Sequence, residues 1–116
     1  MTEFRILHNP RCSKSRQALA LLTDKGIQPE VIEYLKTPPS VAQLDDICTK
    51  LAVEPEAIVR KKEDLFKSLG LADQALTRQQ WLQTLHEHPK LIERPIVIHG
   101  DQARIGRPPE NVLELV

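Results

Sequence analysis

Cysteine is scarce in this chain. There are two, Cys12 and Cys48, with no C-x-x-C spacing and no Cys/His pattern of metal-ligand type. That excludes a disulfide framework, a zinc-type site and a redox cycle run by two neighbouring thiols. Net charge is also lacking: 16 basic residues balance 16 acidic ones, for a formal charge of +0. No bulk field therefore draws the protein to nucleic acid or to anionic lipid, and neither is an expected partner. No apolar run approaches membrane-spanning length, and the N-terminus lacks a basic-then-apolar leader. The expected compartment is the cytoplasm, where a thiol is more often catalytic or buried than bridged. Internal repeats and low-complexity tracts are absent too. What is present is an ordinary globular composition, 41% hydrophobic and 28% charged over 116 residues, enough for one core.

The pattern of the chain is α/β. Phe4 to Leu7 reads as a short strand, followed by the Asn9-Pro10 turn and a helix from about Ser13 to Lys25, stopped by Gly26. Val31 to Leu35 is a second strand, so the first third is a βαβ unit with parallel pairing. Thr37-Pro38-Pro39-Ser40 then breaks the chain and offers Ser40 as an N-cap. Val41, Leu44, Ile47, Cys48 and Leu51 recur at helical spacing behind it. Glu56 to Leu69 is helix-prone but less regular. Thr77 with Gln80 is a capping box for a helix through Trp81, Leu82 and Leu85, ending near Pro89. Ser40 to His88 is thus a helical block. It is expected to be an insertion, too thin to own a core, in a single domain over residues 1–116. Pro95 to Ile98 is a strand, Gly100-Asp101 a hairpin turn into Ala103 to Ile105, and Gly106-Arg107-Pro108-Pro109 opens a last helix carrying Val112, Leu113, Leu115 and Val116. The order βαβ, helical insertion, ββα over a mixed four-stranded sheet is a thioredoxin-like arrangement.

Cys12 stands where a strand turns into a helix. An unperturbed thiol has a pKa of about 8.5, and the thiolate is the nucleophile. Unpaired N–H groups of a helix start and nearby cations favour that charged form. Arg11, Lys14, Arg16 and His8 all lie close in sequence. The competing reading is a small buried residue at a tight turn. Ser15 completes a C-x-x-S pattern. Its hydroxyl either donates to the thiolate or satisfies backbone in the first helical turn, and it cannot resolve a disulfide. His8 is either a donor to Cys12 or an exposed strand-end histidine. Cys48 sits on an apolar helical stripe and reads as core.

Three arginines stand out by context: Arg60, Arg94 and Arg107. The fixed donor fork of a guanidinium suits a tetrahedral oxyanion, and a converging trio would hold one. Spacing alone shows no convergence, and each taken singly reads as a solvated charge. Arg11 and Arg16 rank behind them, because a helix's first turns are mostly surface. Lys61 and Lys62 read as a solvated face. His86 and His88, two apart, point to different faces of a helix and make no metal site.

The stretches "NPRCSKSR", "YLKTPPS", "IVRKKE", "LIERPIVI" and "IGRPPENVLEL", in this order, resemble the glutaredoxin-coupled arsenate reductase family over essentially the whole chain. The resemblance implies a nucleophilic Cys12, supporting roles for His8 and Ser15, and an oxyanion site built from Arg60, Arg94 and Arg107. It implies that Pro95 is the cis-proline that faces the cysteine in thioredoxin-like folds, beside Arg94. No bound cofactor or metal is implied. Arsenate or a similar oxyanion would be substrate, glutathione co-substrate and glutaredoxin the partner that takes up the mixed disulfide. Ser13-Lys14, where characterised reductases tend to carry small neutral residues, resembles a less characterised CSKS-type subgroup.

Two other functions compete. A general glutathione-dependent thiol oxidoreductase would use Cys12 without arsenate. A redox-responsive regulator binding RNA polymerase shares the fold superfamily, but it commonly carries C-x-x-C, which Ser15 interrupts.

Overall fold

The computed structural model describes residues 4–116. Two compact units are present, one built from the described residues up to Thr37 together with Arg94–Val116, the other from Pro38–Glu93.

The first unit carries the sheet. β1 (Phe4–Leu7) leads through a turn to α1 (Ser13–Asp24) and then to β2 (Glu30–Ile32); β3 (Ile96–His99) and β4 (Gln102–Ile105) follow from the C-terminal part. The strand order is β2-β1-β3-β4, with β1 and β2 parallel and the other two pairings antiparallel. This is the thioredoxin-like mixed sheet expected from the pattern. Gly100, at φ 61°, turns the β3–β4 hairpin in a backbone region that favours glycine. The core of the unit joins Phe4 and Ile6 of β1, Ala18 and Leu22 of α1, Val97 of β3, and Val112 and Leu115.

Two elements differ from the sequence expectation. β2 ends at Ile32 rather than Leu35, because the Glu33 carbonyl accepts from the N–H groups of both Lys36 and Thr37 and turns the chain. Tyr34 is fully buried by that turn, while Leu35 faces out. The last helix is a 3₁₀ helix, Pro109–Leu115, rather than an α-helix. Its buried residues are Pro109, Val112 and Leu115, a period of three that a 3₁₀ helix lines up on one face.

Gly106 links the end of β4 to this helix. Its N–H donates to the Pro95 carbonyl at 2.8 Å. A Cβ there would meet Pro95 Cγ at 2.7 Å, Val112 Cγ1 at 3.2 Å and Ala18 Cβ at 3.4 Å. Only glycine lets the β4 exit approach Pro95 this closely.

The second unit is helical. α2 (Val41–Leu51), α3 (Asp64–Ser68) and α4 (Arg78–Glu87) alternate with short 3₁₀ turns at Pro55–Ile58, Leu71–Asp73 and Pro89–Leu91. Ser40 and Thr77 each close a full capping box, with Gln43 and Gln80 respectively. The irregular stretch around Glu56 to Leu69 resolves into one 3₁₀ turn and the short α3. Leu44, Ile47 and Cys48 of α2 are buried, as are Trp81, Leu82 and Leu85 of α4. Val59 and Ile92 form an antiparallel bridge.

Candidate active site

Cys12 is the N-cap residue of α1, in extended conformation at φ −95°, ψ 122°. The turn before it is built locally. Asn9 carbonyl accepts from the Cys12 N–H at 3.0 Å, and the Asn9 side-chain oxygen accepts from the Arg11 N–H at 3.0 Å. β1 and β2 hold this turn at the strand end, since the His8 N–H donates to the Ile32 carbonyl at 2.9 Å.

The thiol is 8% exposed. Burial alone would push its pKa up. The N–H of Ser15, the Arg94 guanidinium and the N–H of Lys14 outweigh burial and bring it below the ordinary thiol value. No side-chain cap bond of full hydrogen-bond geometry forms at this helix start, so the first-turn N–H groups remain aimed at the sulfur. Arg107 Nη2 lies 3.6 Å from Cys12 Sγ, and Arg107 Nε donates to the Arg94 carbonyl at 2.7 Å. Both Arg94–Pro95 and Arg107–Pro108 are cis peptides. Two guanidiniums reach one sulfur from residues more than 80 positions away in the chain.

Ser15 is fully buried and His8 nearly so. The Ser15 hydroxyl pairs with His8 Nδ1 at 2.6 Å and accepts from the Asn9 N–H at 3.1 Å. Its side chain therefore braces the turn, and its backbone N–H serves the thiol. Burial lowers the His8 pKa; Arg16 lowers it further, against an opposing Glu33. At neutral pH His8 is a neutral ring that exchanges one hydrogen bond with the hydroxyl.

Arg60 belongs to the helical unit. Its guanidinium pairs there with Glu63, and its Nε lies 3.8 Å from a Glu93 carboxylate oxygen. Arg11 and Arg16 are exposed, and Arg16 donates to the Pro10 carbonyl at 3.1 Å. Lys61 is paired with Glu56, and Lys62 is exposed. His86 Nδ1 is bonded to the Pro39 carbonyl at 2.8 Å. Among the described residues no cluster of three or more His, Cys, Asp or Glu could hold a metal. No described helix is long and apolar enough to cross a membrane.

Three features escaped the sequence reading. Asn9 shapes the turn with both its carbonyl groups. The Arg107–Pro108 peptide is a second cis bond. Tyr34, buried at the β2 turn, interacts with the Arg94 guanidinium. Burial would lower the Arg94 pKa, but Cys12 and Tyr34 raise it, so it stays charged. No local pattern marks Tyr34; an Asn-Pro turn directly before a helix-start cysteine is the signal that would have found Asn9.

The arrangement presents a buried thiol of lowered pKa with two guanidiniums at its sulfur, a donor type that suits a tetrahedral anion. Known proteins match this chain along nearly its whole length. The chain is 50% identical over 115 residues to the uncharacterized protein YfgD of Escherichia coli K12, covering 98% of this chain and 97% of that protein. It is 48% identical over 113 residues to an arsenate reductase of Neisseria meningitidis, covering 97% of each. Among solved structures, the arsenate reductase from Vibrio cholerae matches with a TM-score of 0.95 at 51% identity, covering 99% of this chain and 98% of that one. The ArsC family model matches residues 7–115, and the chain belongs to the ArsC family.

Proposed function

We propose that the protein reduces arsenate to arsenite, with Cys12 as nucleophile and glutathione and glutaredoxin as the source of electrons. The observation that supports this most is the Cys12 thiol at a helix start, with its pKa lowered and Arg94 and Arg107 at its sulfur. Relatives at 48–50% identity that carry the name arsenate reductase support the choice of oxyanion.

In this reading arsenate binds as a phosphate-like anion against Arg94 and Arg107. Cys12 thiolate attacks arsenic and an arsenate oxygen leaves as water, giving a Cys12–arsenic(V) adduct. The glutathione thiol displaces a second oxygen as water. The glutaredoxin thiolate then takes the glutathione sulfur as a mixed disulfide, and the bonding electron pair stays on arsenic, which becomes As(III). Hydrolysis of the remaining sulfur–arsenic bond releases arsenite and returns Cys12. The two electrons come from two external thiols. That fits the chain's own residues, because the last position of the C-x-x-S pattern is Ser15, already bonded to His8 and Asn9.

The test is a coupled assay. Purified protein with glutathione, glutaredoxin, glutathione reductase and NADPH should consume NADPH only when arsenate is added. Consumption with a glutathione mixed disulfide but not with arsenate would instead make the protein a general thiol oxidoreductase.

A further inference from the structure

Three strand ends meet at one edge of the sheet. Leu7, the last residue of β1, pairs with Ile32 at the end of β2 and with Ile96 at the start of β3. Just beyond that edge lie the turn from Asn9 to Cys12 after β1, Tyr34 after β2 and Arg94 before β3. β1 is the middle strand of the three, so β2 and β3 stand about 10 Å apart, two strand spacings. Only long side chains meet across the end of β1 at that distance. Tyr34 and Arg94 supply them. Tyr34 is drawn inward by the turn at Glu33 and is fully buried. Its hydroxyl and Arg94 Nε are both shielded from solvent, and the two side chains interact. A guanidinium has donors only, so the phenol oxygen is the acceptor. Arg94 is held at its other end through its carbonyl, which accepts from Arg107 Nε at 2.7 Å. An unbraced arginine has wide rotamer freedom, which lowers the fraction of time its donors face one sulfur.

We propose that Tyr34 is a positioning residue for the reaction, its hydroxyl bracing the Arg94 guanidinium against the Cys12 sulfur. This inference rests on the reading of Cys12 as the nucleophile with Arg94 as its guanidinium partner. Tyr34 acts through Arg94, in two ways. It offsets part of the burial that disfavours a charged guanidinium. It also narrows the directions in which the donors point, so the thiolate meets a fixed charge instead of a mobile one. Bulk solvent does not reach the spot, so removing the oxygen leaves the guanidinium with that much less compensation.

The test is the pH profile of iodoacetamide labelling at Cys12, read by mass spectrometry on the Cys12 peptide. It compares wild type, Tyr34→Phe, Arg94→Ala and the double variant. Phenylalanine keeps the ring and removes only the oxygen. Tyr34→Phe should move the profile to higher pH and slow labelling at pH 7 about two- to fivefold, less than Arg94→Ala does. In the Arg94→Ala background it should add nothing. A merely structural role for Tyr34 would lower the melting temperature without a profile shift that needs Arg94. If Tyr34→Phe leaves the profile in place while Arg94→Ala moves it, the brace is wrong and the role of the arginine stands. If Tyr34→Phe slows labelling equally with and without Arg94, the ring acts by another route and the proposal falls. If Arg94→Ala moves nothing, the arginine's role fails and the brace with it. The readout needs no arsenate, so it is independent of which oxyanion is reduced. Tyr34 is also the only tyrosine of the chain, so fluorotyrosine marks this position alone without a mutation. Its fluorine NMR resonance should shift as Cys12 ionises, and that step should vanish in Cys12→Ser and in Arg94→Ala. A resonance that ignores Cys12 overturns the brace even where Tyr34→Phe fails to fold.

Discussion

The two cysteines of this chain are both buried, and burial pushes both thiols toward the neutral form. They nevertheless diverge. Cys12 falls below the ordinary thiol range, while Cys48 is pushed up to about 11. Each has an arginine nearby, so proximity of a positive charge does not separate them. The difference lies in the carboxylates around one thiol and in where each cysteine sits on its helix. Arg78, whose charge favours the Cys48 thiolate, is held by Asp45 at 2.6 Å and by Glu54 at 3.1 Å, and those carboxylates push the thiol further up. At Cys12 the Arg94 guanidinium lowers the thiol pKa, and Arg107 Nη2 lies 3.6 Å from the sulfur. Cys48 also sits within α2, where backbone N–H groups are paired along the helix, whereas Cys12 sits at the open end of α1. A reactive thiol needs donors aimed at its sulfur.

The sharpest way to break this contrast is to remove each sulfur. Cys12→Ser should reduce arsenate turnover at least about a thousandfold, while Cys48→Ala should keep activity within a fewfold. A Cys12→Ser protein that still turned over would end the nucleophile assignment. The alkylation profiles should differ next most. Iodoacetamide should modify Cys12 in the folded protein with an apparent pKa below the ordinary thiol value, and leave Cys48 untouched. Arg94→Ala should then move the Cys12 profile to higher pH and slow labelling at pH 7 about three- to tenfold, by removing a guanidinium that favours the thiolate.

Stability should follow the same signs. For Cys48 the folded pKa, about 11, lies above the unfolded one, so the folded chain keeps a proton that the unfolded chain loses. That stability is present below about pH 8.5 and is lost as pH rises toward 11. Cys12 is the reverse: its folded pKa is depressed, and its contribution is present above the unfolded value and lost as pH falls through the folded one. Melting curves on wild type and Cys48→Ala should show the alkaline loss shrinking in the variant. The smallest effect concerns capping. Ser40→Ala should lose about 1 kcal/mol, because there the capping box is complete.

The first of these neighbourhoods was largely readable from the sequence and the second only in part. β1, α1 and the β3–β4 hairpin follow from short-range pattern: apolar runs, an Asn-Pro turn, a glycine at a turn tip. The capping box at Thr77 and Gln80 is equally local. Arg94 and Arg107 could be named as candidates but not brought to Cys12 by spacing, because the sheet that joins them closes contacts across most of the chain. Tyr34 was placed in a strand by its apolar neighbours; that it turns inward depends on two hydrogen bonds to Glu33, which no periodicity encodes. The final 3₁₀ helix carried its signal in the three-residue spacing of Pro109, Val112 and Leu115, which the presence of Leu113 and Val116 masks as an α-helical stripe. Arg78 beside Cys48 carries no local signal, since its carboxylate partners are 24 and 33 residues away.

Gly106 gives the fold a position that genetics would misread. In a saturation screen scored by arsenic resistance, nearly every allele at codon 106 should look as null as one at codon 12, although the residue has no side chain to act with. Any added carbon lands on Pro95, and through it on the segment that carries Arg94. Temperature would tell the two apart. Codon 106 alleles with the smallest side chains should regain growth in the cold, where marginal folds survive, and codon 12 alleles should not.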